Sequence, residues 1–389
     1  MTTLTTAARG LAGLFSCTAA IPSFENADEL ALWVENVEPA PQLLRLPDDS
    51  VIPHRVAPSV RGQESEKLRF AYSWANWLGR RGFRDPDLLR IRVRWWKNLI
   101  IAHASDLIVA DYAPCALLAA HCLGIPAIAT GTALSVPPAH LPRLPEFMQS
   151  PGDVVLDQDE MVATINDALV PMGLTPLDRL AQIYDCTQPM PRSVSILDPY
   201  EQWRTGSRVL PLEKIPPMSA GKGDEVFIYF STEELQDEGI LAALETLPLV
   251  ARLVAPGLSE GVSARLRKGN PHLKIETRLV PHGEIVSRAR VIVCAGQAGT
   301  ATLSLLSGIP LLALPLHAEQ GLNARGASTS RSCRALFPME RTAQAISASI
   351  LELWESTDLQ FAAIEHAAQL RAEFKEGAIE SFRWAGQGV

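Results

Sequence analysis

Residues 291–325 combine two short apolar runs with small and polar residues in an order that is typical of α/β proteins. Residues 291–293 are all β-branched and predict a buried strand. A Gly-containing turn at 295–299 follows, then an apolar helix that ends at Gly308, then a second buried strand over 310–315. Polar side chains come directly after this strand: His317, Glu319, Gln320 and Asn323. The pattern therefore predicts a strand, a turn, a helix, a strand and a polar loop, in that order.

The turn before this helix consists mainly of small residues. In open α/β sheets, ligands bind at the carboxyl ends of the strands. Backbone N–H groups at the start of a helix can approach an anion closely when the surrounding side chains are small, and the helix dipole adds a favourable potential. Residues 295–300 therefore predict a cradle for a diphosphate.

The alternation of strand and helix patterns extends over most of the chain. The predicted strands are 106–111, 125–130, 226–230, 249–254, 273–279, 291–293 and 311–315. The predicted helices are 84–104, 112–124, one or two within 158–186, those between the later strands, and a terminal helical region over about 341–384. Residues 200–223 are rich in Pro, Gly and charge and lack a sustained period, which is typical of a linker. The sequence predicts two doubly wound α/β domains that face a cleft, at 1–205 and 223–389, joined by a linker at 206–222.

Charge and cysteine content narrow the function classes. The net charge of −8 argues against a general nucleic-acid binder or a protein that binds anionic membranes. The six cysteines form no CxxC pair, which favours buried thiols in a reducing compartment such as the cytoplasm over a disulfide framework or a zinc site. Residues 112–130 and 291–316 are uncharged, but Gly and Pro interrupt both stretches at helix-ending positions. Buried parallel strands with packed helices explain them better than membrane spans do, so we expect no stable span.

The segment 291–325 resembles the donor-binding segment of GT-B-type glycosyltransferases, in particular of bacterial relatives of the UDP-glycosyltransferases. That segment has the pattern hydrophobic–His–Gly–Gly–x–Gly–Thr, a helix, Gly–x–Pro, a strand, then Pro and Asp/Glu–Gln–x–x–Asn–Ala. The matching residues here are Gly299–Thr300, Gly308–Ile309–Pro310, Pro315, Glu319–Gln320 and Asn323–Ala324. Residues 228–232 resemble the opening strand and turn of the donor domain, 278–282 its nucleobase-packing element, and 106–131 the middle of the acceptor domain.

The resemblance implies two Rossmann-like domains and the transfer of a sugar from a UDP- or dTDP-sugar to an acceptor hydroxyl. It implies no metal and no cofactor beyond the nucleotide-sugar co-substrate, because the helix start neutralises charge on the leaving diphosphate. Asp111 matches the aspartate that orients a catalytic histidine in this family. The implied donor-binding residues are Ser231, Thr232, Val280, His282, Ala295, Ala298, Gly299, Thr300, Glu319, Gln320 and Asn323.

Structural roles compete with several of these assignments. Glu319 and Gln320 also suit the solvated first turn of a helix, and Ser231 with Thr232 suits a helix N-cap. Asp111 would serve equally as the N-cap of the helix that follows its strand. An aromatic series would either pack in the core or line an apolar acceptor site: Phe70, Tyr72, Trp74, Trp77, Trp95 and Trp96.

The chain departs from the family pattern in both halves. The histidine that opens the cradle is Ala295, the acidic residue eight positions later is Leu303, and the stacking tryptophan of the nucleobase element is Leu279. Each lost charge-assisted donor costs about 1.5–3 kcal/mol. Residues 1–53 show no buried strand followed by a Gly-rich turn and a histidine, so the first β–α–β unit is either missing or diverged beyond recognition. These departures predict very slow transfer, or none, and favour, as the alternative, an inactive relative that binds a ligand or a partner.

Overall fold

The computed structural model describes residues 73–147, 156–230, 234–374 and 381, together with the strand paths at 19–22, 42–45 and 51–57. The chain divides into two compact units. The first comprises Met1–Arg192, Gln202–Val209 and Ala378–Val389, and the second comprises Ser193–Glu201 and Leu210–Gly377. Each unit contains a sheet of parallel strands, and the first unit has a further small sheet, so the predicted α/β class with a separate parallel sheet in each half is confirmed.

Three strands near the start of the chain were not predicted. Strands β1 (Ala19–Pro22), β2 (Gln42–Arg45) and β3 (Val51–Ala57) form a sheet in which β3 lies between the other two, parallel to β1 and antiparallel to β2. Pro22 in β1 and Pro53 in β3 argue against a strand at these positions, because proline has no N–H to donate to a sheet. Strand β2 contains no proline, but its four residues are too few to show a sequence period.

The rest of the first unit has a parallel sheet in the order β4–β5–β6. Its elements are, in chain order, α1 (Trp74–Leu78), α2 (Pro86–Ala102), β4 (Ile108–Asp111), α3 (Pro114–Leu123), β5 (Ala127–Thr132), α4 (Gln158–Leu169) and β6 (Gln188–Arg192). The predicted strands 106–111 and 125–130 and helices 84–104 and 112–124 are all found. Strand β6 was not predicted, since its sequence contains two prolines.

Local sequence explains where these helices begin and end. The Asp85 carboxylate accepts hydrogen bonds from the backbone N–H groups of Asp87 and Leu88, both at 3.0 Å, and Pro86 occupies the first position of α2. Helix α3 ends at Gly124, whose φ of 64° is the left-handed conformation that glycine adopts readily. The helical prediction over 158–186 was too long. Helix α4 ends at Leu169, and only 3₁₀ turns follow around Pro171.

The second unit has one six-stranded parallel sheet. Its elements are β7 (Glu225–Tyr229), α5 (Glu238–Thr246), β8 (Ala251–Val254), α6 (Glu260–Gly269), β9 (Leu273–Glu276), α7 (His282–Arg288), β10 (Ala289–Cys294), α8 (Ala298–Ser307), β11 (Leu311–Ala313), α9 (Ala318–Ala327), β12 (Cys333–Ala335), α10 (Ala343–Glu355) and α11 (Thr357–Arg371). All five strands predicted here are found, and β12 is an addition that was too short to recognise. The predicted terminal helical region is two helices, because Ser356 interrupts it and caps α11.

Strand order in this sheet is β9–β8–β7–β10–β11–β12. The chain therefore proceeds outward from β7 in one direction and then, from β10, in the other, which is the strand order of dinucleotide-binding domains. Apolar residues on both faces of β7 and β10 are buried, with Val226, Ile228 and Val293 in one core cluster and Phe227 and Ile292 in the other. The sheet is thus covered on both sides, as parallel sheets require.

Short turns connect several of these elements. A π-helical turn follows α1 at Gly79–Phe83. The 3₁₀ turns are Ala133–Ser135, Val170–Met172, Leu180–Tyr184, Ser195–Leu197, Glu201–Trp203, Glu234–Gln236 and Pro338–Glu340. Within the part of the chain that the structure describes, no helix is both long enough and apolar enough to cross a bilayer.

Gly308 ends α8 with a φ of 70°, and a Cβ placed on it would lie 2.9 Å from the Cα of Ile364 in α11. Gly221 has a φ of 68°, but a Cβ there would meet only the Cδ1 of Ile364, at 3.7 Å. We expect Gly308→Ala to destabilise the second unit by about 1–3 kcal/mol more than Gly221→Ala does, because both changes strain the backbone but only the first overpacks α11. Hydrogen exchange of the β10 and β11 amides measures the difference, and equal losses would contradict it.

Candidate functional site

The point where strand order reverses lies between β7 and β10 in the second unit. These two strands pair in parallel, and their last residues, Tyr229 and Cys294, are direct partners. The chain leaves both strands at the same level and on the same edge of the sheet. In open α/β sheets this edge, beside the reversal point, is where ligands bind.

The cradle is the loop of residues 295–297 together with the first turn of α8. Gly296 has a φ of 91°, and a Cβ on it would lie 2.7 Å from the backbone oxygen of Gln320, so this position needs glycine. The N-cap residue Gln297 makes no side-chain cap hydrogen bond with the helix. A Cβ on Gly299 would meet nothing within 4 Å. Among the residues that the structure describes, the N-cap side chain leaves the first amides of α8 uncapped and the space at Gly299 is open, as an anion site at a helix N-terminus requires.

Several cradle side chains support the loop from inside. Ala295 is 0% exposed and lies in the apolar core of the sheet. The Cys294 thiol, whose pKa burial raises to about 12, accepts a hydrogen bond from the Gly296 N–H at 3.2 Å. Ala298 and Thr300 are half-buried on the first turn of α8. Backbone amides and the Thr300 hydroxyl are thus the polar groups that this segment can offer an anion.

Helix α9 brings the polar cluster predicted after β11 to the same edge. The Asn323 side chain donates to the backbone oxygen of Gly296 at 2.9 Å, which ties α9 to the cradle. Gln320 is only 5% exposed, and its side-chain oxygen accepts from the Leu316 N–H at 2.8 Å. Glu319, by contrast, is half-buried in the first turn of α9. Gln320 and Asn323 therefore hold the loops together, while Glu319 is an acidic side chain that is partly exposed to solvent.

Sequence analysis missed two residues of this edge, Glu234 and Gln297. Glu234 is fully buried in the turn after β7, and both Gln297 and Gln320 donate side-chain amide hydrogens to its Oε1. Gln297 stands where the family pattern has its second glycine, and that departure was the available signal. Nothing in the sequence distinguishes Glu234 from Glu233, because burial is decided by the tertiary fold.

The other predicted donor-binding residues are scattered around this edge. Val280 packs partly against the core, and His282 is exposed at the start of α7. Ser231 and Thr232 lie outside the described residues. Leu303, at the position of the family's acidic residue, is 2% exposed in the core, whereas Leu279 is 66% exposed.

Asp111 lies at the carboxyl end of β4 in the first unit. The alternative role as a helix N-cap is wrong, because α3 begins at Pro114 and its N-cap is Ala113. Tyr112 takes a φ of 54°, which is strained for a non-glycine residue and turns the chain sharply after the strand. A Cβ on Gly131 would lie 2.9 Å from the Asp111 Oδ1, so glycine at the end of β5 makes room for this carboxylate.

The aromatic series packs largely in the core of the first unit. Trp74 is fully buried and makes edge contacts with Trp77 and Phe147, with ring centroids 5.0 and 5.7 Å apart, and a tilted contact with Tyr184 at 5.6 Å. Trp95 is also buried. Core packing therefore accounts for these two tryptophans, while Phe70 and Tyr72 lie outside the described residues. Among the side chains that the structure describes, no group of three or more His, Cys, Asp or Glu residues is placed to hold a metal ion.

Known proteins resemble this chain more clearly in structure than in sequence. No family model and no curated protein matches the sequence. Solved structures do match over nearly the whole chain. The glycotransferase of kitacinnamycin has a TM-score of 0.62 at 16% identity and is matched over 100% of this chain and 95% of its own. The calicheamicin glycosyltransferase CalG4 has a TM-score of 0.64 at 13% identity, and the match covers 99% of this chain and 94% of that one. The glycosyltransferase VinC in complex with dTDP has a TM-score of 0.59 at 12% identity, and the match covers 96% of this chain and 100% of that one. At such identities the likeness establishes the fold, which is that of GT-B glycosyltransferases.

Proposed function

We propose that this protein, which has the GT-B fold, transfers a sugar from a UDP- or dTDP-sugar to a hydroxyl group of a small-molecule acceptor, without a metal ion. One observation carries the proposal. The uncapped N-terminus of α8 opens at the reversal point of the sheet, and the acidic side chain of Glu319 stands on the adjacent helix α9.

The cradle supplies the electrostatic part of the reaction. Amides of residues 298–300, the Thr300 hydroxyl and the α8 dipole bind the diphosphate and stabilise the charge that develops on it as the sugar leaves. A preorganised helix terminus needs no reorganisation at that moment, so it substitutes for a metal ion. Ser231 and Thr232, which follow β7 in the sequence, would add hydroxyl donors to the same group.

Glu319 is the main residue that would bind the sugar. A carboxylate accepts two hydroxyl hydrogen bonds, which suits a polyol. The amide of Gln320 is directed to Leu316 and Glu234, so its contribution is to the shape of the loop. The nucleobase would lie against Val280 and His282, where Leu279 replaces the stacking tryptophan.

The solved structures of similar fold support this class of reaction. Two are named as glycosyltransferases of kitacinnamycin and calicheamicin, and a third was solved with dTDP. We infer from these neighbours that the donor is a nucleoside diphosphate sugar and that the acceptor is a small hydroxylated molecule. In the first unit, Asp111 would orient the group that takes the proton from the acceptor hydroxyl.

The donor site is tested by Gly299→Ala, which puts a methyl group over the α8 amides. We expect the variant to fold normally and to bind dTDP or UDP about tenfold to a hundredfold more weakly, because at least one charge-assisted bond of about 1.5–3 kcal/mol is lost. Titration calorimetry measures the affinity. Gly261→Ala is the matched control, since Gly261 is likewise the second residue of a ten-residue helix, and a Cβ placed on it would meet nothing within 4 Å. Failure of the wild-type protein to bind either nucleotide would refute the proposal.

Replacing Glu319 tests recognition of the sugar. We expect Glu319→Ala to weaken binding of the nucleotide sugar about tenfold more than binding of the bare nucleotide, because only the sugar hydroxyls lose a partner. Parallel titrations with dTDP-glucose and dTDP, and with the UDP pair, measure this difference. Equal weakening of both ligands would show that Glu319 acts through folding of α9 and not through the sugar.

Asp111 provides the test of turnover. We expect Asp111→Asn to lower single-turnover transfer by about 10²-fold or more while leaving dTDP affinity unchanged, since its role concerns the acceptor proton. Asp106→Asn, at the exposed opposite end of the same strand region, is the control and should keep wild-type transfer. The assay uses a panel of hydroxylated aromatic, lipid and sugar acceptors. Tight dTDP binding with no transfer by the wild-type chain would instead favour an inactive, ligand-binding relative.

A further inference from the structure

Three loops leave the ligand-binding edge of the second unit, after β7, β10 and β11, and one buried carboxylate lies among them. Glu234 follows β7 and is 0% exposed. Its Oε1 accepts from the side-chain amide of Gln297, in the loop after β10, at 3.5 Å. The same oxygen accepts from the side-chain amide of Gln320, after β11, at 3.4 Å. A single atom is therefore shared by two loops that the proposed function assigns to different parts of the donor.

The two glutamines use the rest of their amides in the same way. Gln297 Oε1 accepts from the backbone N–H of Ala295 at 3.0 Å, and Gln320 Oε1 accepts from the backbone N–H of Leu316 at 2.8 Å. Each glutamine thus holds the backbone of its own loop with its oxygen and donates its nitrogen to Glu234. The position of the cradle and the position of the first turn of α9, which carries Glu319, are therefore linked through two side-chain bridges to Glu234.

A buried arginine extends this arrangement to the next loop. Arg341 donates to the backbone oxygen of Pro315, after β11, and to that of Leu336, after β12, the latter at 3.0 Å. Its Nη1 lies 3.6 Å from the Asp237 carboxylate. Burial lowers the pKa of the Arg341 guanidinium, and the Asp237 and Glu234 carboxylates oppose that shift. The favourable charge of Arg341 offsets part of the cost of burying Glu234.

We propose that Glu234 is a positioning residue of the donor site. Its Oε1 fixes the distance between the diphosphate cradle and the first turn of α9, which carries Glu319. This inference rests on the proposed function for its consequence, although the coupling of the loops does not. Gln297 takes part in the same positioning, because its side chain reaches Glu234. The glycine that the GT-B pattern has at this position could not do so. A ligand that spans both loops depends on their separation more than a ligand that contacts one loop.

The test replaces Glu234 by Gln, which keeps its shape and removes the charge that both amides face. Gln297→Met is the second variant, since it cuts one bridge and leaves Glu234 in place. Glu225→Gln is the matched control. Glu225 is a buried carboxylate at the opposite end of β7, 3.0 Å from Arg252. When Glu225 is replaced, Arg252 keeps Glu276 and Glu284 as partners.

Hydrogen exchange gives the readout that is independent of any ligand. We expect Glu234→Gln to speed exchange of both the Ala295 and Leu316 amides about tenfold or more, and Gln297→Met to speed Ala295 far more than Leu316. Glu225→Gln should leave both rates within about twofold of wild type. Unchanged exchange at either amide in Glu234→Gln, or equal changes in Glu225→Gln, would overturn the coupling.

Binding then separates a positioning role from a purely structural one. We expect Glu234→Gln to weaken dTDP-glucose about tenfold more than it weakens dTDP, because only the nucleotide sugar spans both loops. Equal weakening, or unchanged or tighter binding of the nucleotide sugar, would overturn the positioning role. If the wild-type chain binds no nucleotide, the proposed function fails, and the exchange rates still decide whether Glu234 links the loops.

Discussion

The parallel pairing of β7 with β10 is the constraint on which the functional edge of the second unit depends. These strands are consecutive in the sheet but separated by two β–α units in the chain, so their pairing creates the reversal of strand order. Helices cannot cover the crevice where the order reverses, because the connections on its two sides run in opposite directions. The cradle, the turn that contains Glu234 and the start of α9 follow β10, β7 and β11 respectively, so all three lie at this edge of the sheet.

A crevice of this kind exposes backbone groups that need partners, and here side chains supply them. Gln297, Gln320 and Asn323 bond the loop backbones, and the two glutamines also donate to Glu234 across the crevice. A buried polar network is costly unless its members are satisfied, and a satisfied one rigidifies the site. Under the proposed function, this rigidity would let the backbone amides bind a diphosphate without reorganisation.

To bind a diphosphate, the cradle would use backbone N–H groups where the GT-B donor-binding pattern has a histidine. Residues 295–300 contain no ionisable side chain, Ala295 is in the core, and Leu303 is buried. The potential at this helix start comes from peptide dipoles, whose strength does not change with pH. Of the side chains that differ from the pattern, Ala295 and Leu303 are packed in the core and Leu279 is exposed. Within residues 295–300 the helix terminus is therefore the source of positive potential.

Local patterns in the amino-acid sequence predict the fold class, which the structure confirms, and the elements that form the candidate site. β-branched runs, Gly308 and the polar residues after 315 predict β10, α8, β11 and α9 because strand and helix periods, and glycine at a helix end, are local properties. Strands that contain proline, such as β3 and β6, were not predicted, because their formation depends on pairing with strands that are distant in the sequence. The three-dimensional fold was needed to show that Gln320 and Asn323 are buried and that Glu234 is buried beside Gln297 and Gln320. It also showed that the N-cap of α3 is Ala113 and not Asp111. Burial and orientation depend on contacts between residues far apart in the chain, and a sequence pattern carries no record of those contacts.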